Sequence, residues 1–152
     1  ERFILEYYRK EWSQIGANAS QIPWALDDEI GTMLPKMQSD IMLTKGKDIL
    51  IIDAKWYSRT TQTNRDVRTF HSANLYQIFT YVKNKDKECG SEPYNVSGML
   101  LYAATDEAIQ PDNSYQMSGN RISVKTLDLN CEFQQIATQL NKIVEDHFDL
   151  DN

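Results

Sequence analysis

Three segments of the chain space their apolar residues as amphipathic helices do. They are the first fifteen residues, the segment 71–84 and the segment 132–148. The middle segment, "HSANLYQIFTYVKN", has four apolar residues on one helical face: Leu75, Ile78, Phe79 and Val82. The pattern therefore predicts one helix at each end of the chain and one in between.

Four runs rich in Ile, Leu, Val and Met predict strands. They cover residues 37–44, 49–57, 96–105 and 121–129. The order helix, two strands, helix, two strands, helix is typical of an α/β domain with a central mixed β-sheet flanked by helices.

Polar connections separate these elements. The segment 16–23, "GANASQIP", is expected to break the first helix, and residues 24–35 leave open whether a short strand leads to Pro35. The segments 58–69 and 106–120 are predicted as loops, and the length of the first is typical of a functional loop.

The first two strands are expected to form a hairpin around "KGKD". With Gly46 as the first of two loop residues, a type II′ turn fits, because Gly supplies the positive φ. This turn pairs Lys45 with Asp48. The same register, carried along the strands, sets Asp40 opposite Asp53. A loop of odd length would instead turn Asp40 to the other face of the sheet.

Two carboxylates and one ammonium then gather on one patch of the sheet. Asp53 and Lys55 share a face because side chains alternate, whereas Ile52 and Ala54 point the other way. Two opposed carboxylates destabilise a sheet unless positive charge lies between them. Lys55 compensates one of them, whereas a divalent cation compensates both, and oxygen ligands of this kind suit Mg²⁺.

A simpler interpretation places both aspartates at strand ends in solvent, since D-x-K triplets are common by chance. The four apolar residues "ILII" directly before Asp53 argue against it. They predict a strand buried on both faces, where an unpaired charge is costly. A buried aspartate at Asp53 therefore indicates function.

The middle helix adds a polar stripe. Asn74, Gln77 and Tyr81 stand at positions i, i+3 and i+7, which we expect to lie opposite the apolar face. Gln77 and Tyr81 make the pattern Q-x-x-x-Y. Taken alone, the stripe favours an ordinary solvent-exposed face, but together with the upstream D…D-x-K it becomes specific.

These motifs resemble the PD-(D/E)xK nuclease superfamily in its RecB-like form. The residues that carry the resemblance are Asp40, Asp53, Ala54, Lys55, Gln77 and Tyr81. More closely, "LPKMQSDIMLTKGKDILIIDAKWY" and "SANLYQIFTYVKN" are similar to the nuclease domain of McrC proteins. These are the cleavage subunits of modification-dependent restriction systems of the 5-methylcytosine type. The resemblance extends over nearly the whole chain, residues 1–148.

The resemblance implies a restriction-endonuclease-like fold and Mg²⁺-dependent cleavage of DNA, with Mn²⁺ as a substitute. It assigns Asp40, Asp53 and the Ala54 carbonyl to one or two metal ions. Ser39 stands where the superfamily name has Pro, which is not a ligand.

The same resemblance implies roles for three further residues. Lys55 would orient the attacking water or neutralise charge in the transition state. Gln77 and Tyr81 would lie beside the metal centre and position Lys55, the water or the DNA backbone.

Family members also carry an N-terminal part that engages a McrB-like AAA+ GTPase, which recognises DNA and drives translocation. We therefore expect residues 1–152 to be the C-terminal nuclease domain of a longer, cytoplasmic chain with no membrane partner. A dimer is compatible with double-strand cleavage. The first helix in this superfamily often contributes a Glu near the metal, which leaves Glu1 and Glu6 open.

Composition changes this picture little. The chain length of 152 residues suits one domain, and no apolar run is long enough to cross a bilayer. Cys89 and Cys131 match no metal or redox spacing and are interpreted as reduced thiols. The net charge is −6, but residues 36–87 hold ten Lys/Arg and five Asp/Glu, or +5, which leaves −11 elsewhere. A basic middle is compatible with DNA, and a solvated mixed surface explains it equally well.

The polar segment 58–69 adds candidate phosphate contacts, for which ordinary surface arginines are an equally good explanation. These are Arg59, Arg65 and Arg68. His71 and His147 lack ligand spacing and receive no catalytic role. Trp56 is expected in the core or at a partner rather than against a base.

Two other functions stay open on the sequence alone. One is a non-catalytic DNA-binding or assembly module of the same fold, against which the intact D…D-x-K argues. The other is a RecB-type repair or recombination nuclease, which these motifs do not separate from a restriction enzyme because the chemistry is the same.

Overall fold

The computed structural model of the chain describes residues 1–57, 61–64 and 67–150, and for residues 62–64, 67 and 68 it describes the backbone alone. The helices in this part are α1 Arg2–Glu11, α2 Ser72–Glu88 and α3 Phe133–His147. The strands are β1 Gly16–Asn18, β2 Gln21–Ile22, β3 Met37–Gln38, β4 Ile41–Lys45, β5 Asp48–Lys55, β6 Thr61–Asn64, β7 Val67–Phe70, β8 Asn95–Ala103, β9 Asn113–Met117 and β10 Asn120–Leu127. None of the described helices is long and apolar enough to cross a membrane.

Six strands form the central sheet in the order β1-β4-β5-β8-β10-β9. The three middle strands, β5, β8 and β10, run parallel, and the outer strands are antiparallel to their neighbours. The pairs β2–β3 and β6–β7 form separate small sheets. The predicted fold class, an α/β domain with a central mixed sheet flanked by helices, is confirmed and agrees with a restriction-endonuclease-like architecture.

Strand β5 is buried on both faces, as its apolar run predicts. Leu50 and Ile52 pack into the cluster that contains α1 and α3, whereas Ile49 and Ile51 pack into the cluster that contains α2. Parallel strands covered by helices on both sides show such continuous apolar runs. The charged end of β5 therefore emerges directly from the core.

Helices α1 and α3 cover one face of the sheet and are joined by polar groups that are buried or partly buried. The hydroxyl of Tyr8 donates to the carbonyl of Leu140 at 3.0 Å. The hydroxyl of Tyr7 and the indole of Trp12 both donate to Asn141 Oδ1, at 2.7 and 2.9 Å. These bonds tie the first helix of the chain to the last one.

Helix α2 covers the opposite face and lies unusually close to β8. A Cβ atom added at Gly98 would lie 2.7 Å from a Val82 methyl and 2.8 Å from Ile78 Cγ1. Because both contacts are too short for a side chain, only glycine lets the helix settle on the strand here. This close approach brings the polar residues of α2 down onto the end of β5.

Several segments predicted as loops contain strands instead. The hairpin β6–β7 begins in the segment 58–69 and extends to residue 70, β9 lies in 106–120, and β1 and β2 lie in 16–23. These strands are short and polar, and they lie at the edge of the central sheet or in two-stranded pairs. They lack the apolar alternation on which the prediction relied, and β9, for example, is exposed along most of its length.

The predicted strands around the aspartates are also shorter than expected. The run 37–44 is interrupted at residues 39 and 40, so that β3 pairs with β2 while β4 joins the central sheet. The run 49–57 ends as a strand at Lys55.

Candidate active site

Strands β4 and β5 pair in the predicted register. Lys45 lies opposite Asp48 at the turn, and Gly46 has a φ of +58°, as a type II′ turn requires. The regular pairing ends with Ile41 opposite Ile52, one step before the two aspartates. The alternative of an odd-length loop is thereby excluded.

Asp40 reaches across to β5 through its side chain. Its Oδ2 accepts a hydrogen bond of 2.9 Å from the backbone N–H of Ala54. This bond replaces the next rung of the β-ladder and orients the carboxylate toward the end of β5. The negative charge of Asp40 also raises the pKa of Asp53, which places the two carboxylates in one electrostatic environment.

Asp53 is buried, with 3% of its surface exposed. Burial raises the pKa of its carboxyl to about 6, and Asp40 adds to this shift while Lys55 opposes it. Its Oδ2 lies 2.8 Å from Lys55 Nζ, the distance of an ion pair. Within the described residues, however, Oδ2 accepts no hydrogen bond of good geometry. The carboxylate is therefore charge-compensated but incompletely satisfied.

Lys55 connects the sheet to helix α2. Besides its contact with Asp53, its ammonium donates to Gln77 Oε1 at 3.0 Å, and Gln77 Nε2 donates to the Tyr81 hydroxyl at 2.9 Å. Burial lowers the pKa of Lys55, but the contact with Asp53 outweighs it, so the net shift is upward. The structure thus brings five predicted side chains into one connected group: Asp40, Asp53, Lys55, Gln77 and Tyr81.

The polar stripe of α2 does not lie opposite its apolar face, and that part of the prediction was wrong. Asn74 and Tyr81 are buried on the same side as Ile78 and Val82. Seven residues are close to two full helical turns, so positions 74, 78 and 81 all project toward the sheet. The polar groups stay buried there because the end of β5 supplies partners for them.

Ser39, at the position of the proline in the superfamily name, has a structural role of its own. Its Oγ donates to the Ser20 carbonyl at 3.0 Å and accepts from the Ser20 N–H at 3.1 Å. Its own N–H also donates to the Ser20 carbonyl, at 3.0 Å. A proline would remove these donors. Ser39, which stands in place of the proline, thus anchors the segment that carries Asp40.

Neither candidate glutamate of the first helix joins the site. Glu6 pairs with Arg9 at 2.9 Å on an exposed surface, and Glu1 is exposed. Helix α1 covers the face of the sheet opposite Asp53. Among the residues that the structure describes, no three Asp, Glu, His or Cys side chains group as metal ligands.

The remaining predicted residues fall in different places. Arg59 and Arg65 lie outside the described residues, and of Arg68 only the backbone in β7 is described. Trp56 is 56% exposed just beyond β5, so of its two predicted places the core is excluded and contact with a partner stays a prediction. His71 contacts the Tyr57 ring, with the centroids 5.2 Å apart.

The sequence placed Asn74 in the polar stripe, but its two tyrosine partners were missed. The Tyr57 hydroxyl donates to Asn74 Oδ1 at 3.3 Å, and Asn74 Nδ2 donates to the Tyr102 hydroxyl at 2.9 Å. Tyr102 is fully buried and lies opposite Lys55 across the parallel strands. The position of Asn74 one turn before Gln77 was a usable signal, but nothing in the sequence pointed to Tyr102.

Comparison with known proteins identifies the family of the chain. A family model described as "McrBC 5-methylcytosine restriction system component" matches residues 2–103. The chain belongs to this family. The matched residues include every member of the candidate site. The predicted McrC-like identity is confirmed, whereas membership of the PD-(D/E)xK superfamily stays a prediction.

A curated relative supports the McrBC assignment. The chain is 29% identical over 150 residues to the type IV methyl-directed restriction enzyme EcoKMcrBC of Escherichia coli (strain K12). The match covers 97% of the chain but 42% of the relative. The chain therefore spans less than half the length of this relative.

Proposed function

We propose that the chain is a Mg²⁺-dependent endonuclease that hydrolyses DNA phosphodiesters as the cleavage subunit of a 5-methylcytosine restriction system. The observation that carries the proposal is the convergence of Asp40, Asp53 and Lys55 at the end of β5. Membership of the McrBC family supports the restriction context.

The two carboxylates fit a divalent cation. Asp53 Oδ2 is buried without a well-directed hydrogen bond in the described part of the chain, and a cation would supply the missing partner. A cation would also offset the burial and the repulsion from Asp40 that raise the pKa of Asp53. Carboxylate oxygens are preferred ligands of Mg²⁺, and Mn²⁺ is expected to substitute. The part of the Ala54 carbonyl in this site stays a prediction.

When bound, Mg²⁺ activates water for attack and offsets charge on the phosphate oxygens. Lys55 contributes its own positive charge at the same place. Its ammonium has three hydrogens, and Gln77 Oε1 accepts one of them, which leaves hydrogens for a phosphate oxygen beside the ion pair with Asp53. Because its pKa is raised, Lys55 is charged at neutral pH, which favours neutralisation of charge over action as a base.

Gln77 and Tyr81 act as positioning residues in this proposal. The ammonium of Lys55 can only donate, so the Gln77 oxygen must face it and the Gln77 nitrogen must face Tyr81. The Tyr81 hydroxyl thereby fixes the orientation of the amide. This chain of bonds from α2 holds Lys55 at the end of β5.

The proposal includes DNA and a McrB-like AAA+ GTPase as partners, which the description of the family as part of a restriction system supports. The same description favours restriction over RecB-type repair. A non-catalytic module of the same fold is the alternative to test, and dimerisation for double-strand cleavage stays a prediction.

The decisive experiment combines the complete protein and its GTPase partner with 5-methylcytosine-containing DNA, Mg²⁺ and GTP. Asp53→Ala and Lys55→Ala are expected to lower the cleavage rate by about 10³-fold or more, because each removes a charge at the reacting phosphate. Asp86→Ala, which removes an acid of α2 outside the site, serves as the matched control and should cut like wild type.

Two results would argue against the proposal. If Asp53→Ala cuts as well as wild type, the nuclease assignment is wrong. If calorimetric titration with Mg²⁺ or Mn²⁺ shows no binding that depends on Asp40, the non-catalytic module is the better explanation.

A further inference from the structure

An open depression of about 510 Å³ lies beside the candidate site. It is lined by Trp56 and Tyr57 after β5, by Ala103 and Ala104 at the end of β8, and by the segment 128–130 after β10. These are the carboxyl ends of the three parallel strands. In open α/β sheets, ligands bind at this edge.

Tyr57 presents a fixed aromatic surface to this depression. It is 43% exposed, although its hydroxyl donates to the buried Asn74 at 3.3 Å. Its ring also contacts His71 and Tyr102, with centroid distances of 5.2 and 6.1 Å. An exposed side chain can normally rotate, whereas the Tyr57 side chain is held by a hydrogen bond at its hydroxyl and by contacts with two rings.

Asn74 links this ring to strand β8, the neighbour of β5. Its amide oxygen accepts from Tyr57 while its amide nitrogen donates to Tyr102 at 2.9 Å, so both ends of the amide are used. Tyr102 lies directly opposite Lys55 in the sheet. The position of the Tyr57 ring is thus set relative to the residue proposed to contact the phosphate.

We propose that Tyr57, held in place by Asn74, packs its exposed ring against the base or deoxyribose of the nucleotide next to the scissile phosphate. This inference rests on the proposed nuclease function. Asp128 also lines the depression and repels phosphate, so the uncharged part of the nucleotide is the part that fits. Aromatic rings bind nucleotides in this way with little dependence on sequence. Asn74 is a positioning residue in this arrangement.

The test is steady-state cleavage by the complete protein with its GTPase partner. Tyr57→Leu is expected to raise KM for DNA about tenfold with kcat within about twofold of wild type, because stacking is worth about 1–3 kcal/mol. Tyr57→Phe and Asn74→Ala keep the aromatic ring but remove the hydrogen bond that holds it, and each should raise KM about threefold. Tyr76→Leu, at a 70% exposed tyrosine of α2 outside the depression, is the matched control.

The outcomes separate this inference from the proposed function. If Asp53→Ala is inactive while Tyr57→Leu has the KM of Tyr76→Leu, the role of Tyr57 is wrong and the nuclease stands. A fall in kcat without a change in KM likewise overturns the contact with DNA. If Asp53→Ala remains active, both proposals fail.

A second measurement is independent of turnover and of the stability of the Tyr57 variants. DNA carrying 5-iodouracil is photo-cross-linked to the Asp53→Asn protein with its partner, and the attached residue is mapped by mass spectrometry. Attachment at Tyr57 is expected. Cross-links only at positions outside the depression would overturn the inference.

Discussion

Two titratable groups in the described part of the chain can be compared directly. One is Asp53 beneath α2, and the other is His147 at the end of α3. Among the described residues, they hold the two buried side-chain atoms without a hydrogen-bond partner, Asp53 Oδ2 and His147 Nε2. Burial is the main cause of both pKa shifts, which raise the pKa of Asp53 to about 6 and lower that of His147 to about 4. Each residue is therefore biased toward its uncharged form.

Their neighbours differ. Asp53 meets Asp40 and Lys55, and Lys55 in turn is held by Gln77 from α2. His147 contacts Arg121, which can only donate, so Nδ1 accepts and the ring hydrogen lies on Nε2. The lesson is that an unsatisfied buried atom does not define a site. A site also needs groups of complementary charge that converge from several elements.

Asp53→Asn should give the largest effect in this comparison. We expect cleavage to fall by about 10³-fold or more, since one carboxylate of the proposed metal pair is lost. In metal-free protein at pH 8, the same change should raise the free energy of unfolding by up to about 3 kcal/mol. Urea unfolding in EDTA measures this gain, and Asp86→Asn is the control.

The pH dependence of that gain follows from the sign of the shift. The folded-state pKa of Asp53, about 6, lies above its ordinary value of 3.8, so protonation favours the folded protein. The contribution of Asp53 to the stability of wild type should rise as the pH falls from 7 to 4, and the advantage of Asp53→Asn should vanish near pH 4. A variant that is less stable than wild type at pH 8 would contradict this account.

His147→Gln should show the opposite pH dependence. The folded-state pKa of His147, about 4, lies below its ordinary 6.5, so protonation favours the unfolded protein. Wild type should lose up to about 3 kcal/mol from this residue between pH 7 and pH 4, and His147→Gln should not. Cleavage at pH 8 should be unchanged, and Asp146→Asn controls for the nearby charge. Reduced cleavage at pH 8 would mean that the two regions are coupled.

Gln77→Leu should have a smaller effect than either change. It removes the acceptor of the Lys55 ammonium but leaves the ion pair with Asp53. We expect kcat to fall about tenfold, which corresponds to about 1.4 kcal/mol and to one lost hydrogen bond to a charged group. Single-turnover cleavage measures the change, and Gln77→Glu should restore part of the rate. An unchanged kcat would remove Gln77 from the mechanism.

Tyr81→Phe should have the smallest effect. The ring remains packed on the sheet, and only the acceptor of Gln77 Nε2 is lost. We expect kcat to fall about two- to threefold, less than one typical hydrogen bond in free energy. In the Gln77→Leu background the same change should have no effect, because the two residues act through one bond. Additive losses would show that Tyr81 acts separately.

Sequence reasoning was sufficient for the part of the site built from neighbouring segments. A tight turn at Gly46 and the two-residue period of a strand suffice to bring Asp40 and Asp53 together and to set Lys55 on the same face. The apolar run before Asp53 likewise predicted its burial. These features depend on local geometry, which follows from the spacing of residues along the chain.

Only the tertiary structure decided which distant groups reach that patch. Helix α2 packs closely on β8 at Gly98, and its polar residues therefore face the sheet: Asn74, Gln77 and Tyr81. The parallel pairing of β5 with β8 places Tyr102 beside Lys55. The polar strands β6, β7 and β9 also escaped prediction. The physical reason is that these features arise from packing and hydrogen bonding between segments far apart in the chain, for which local periodicity carries no signal.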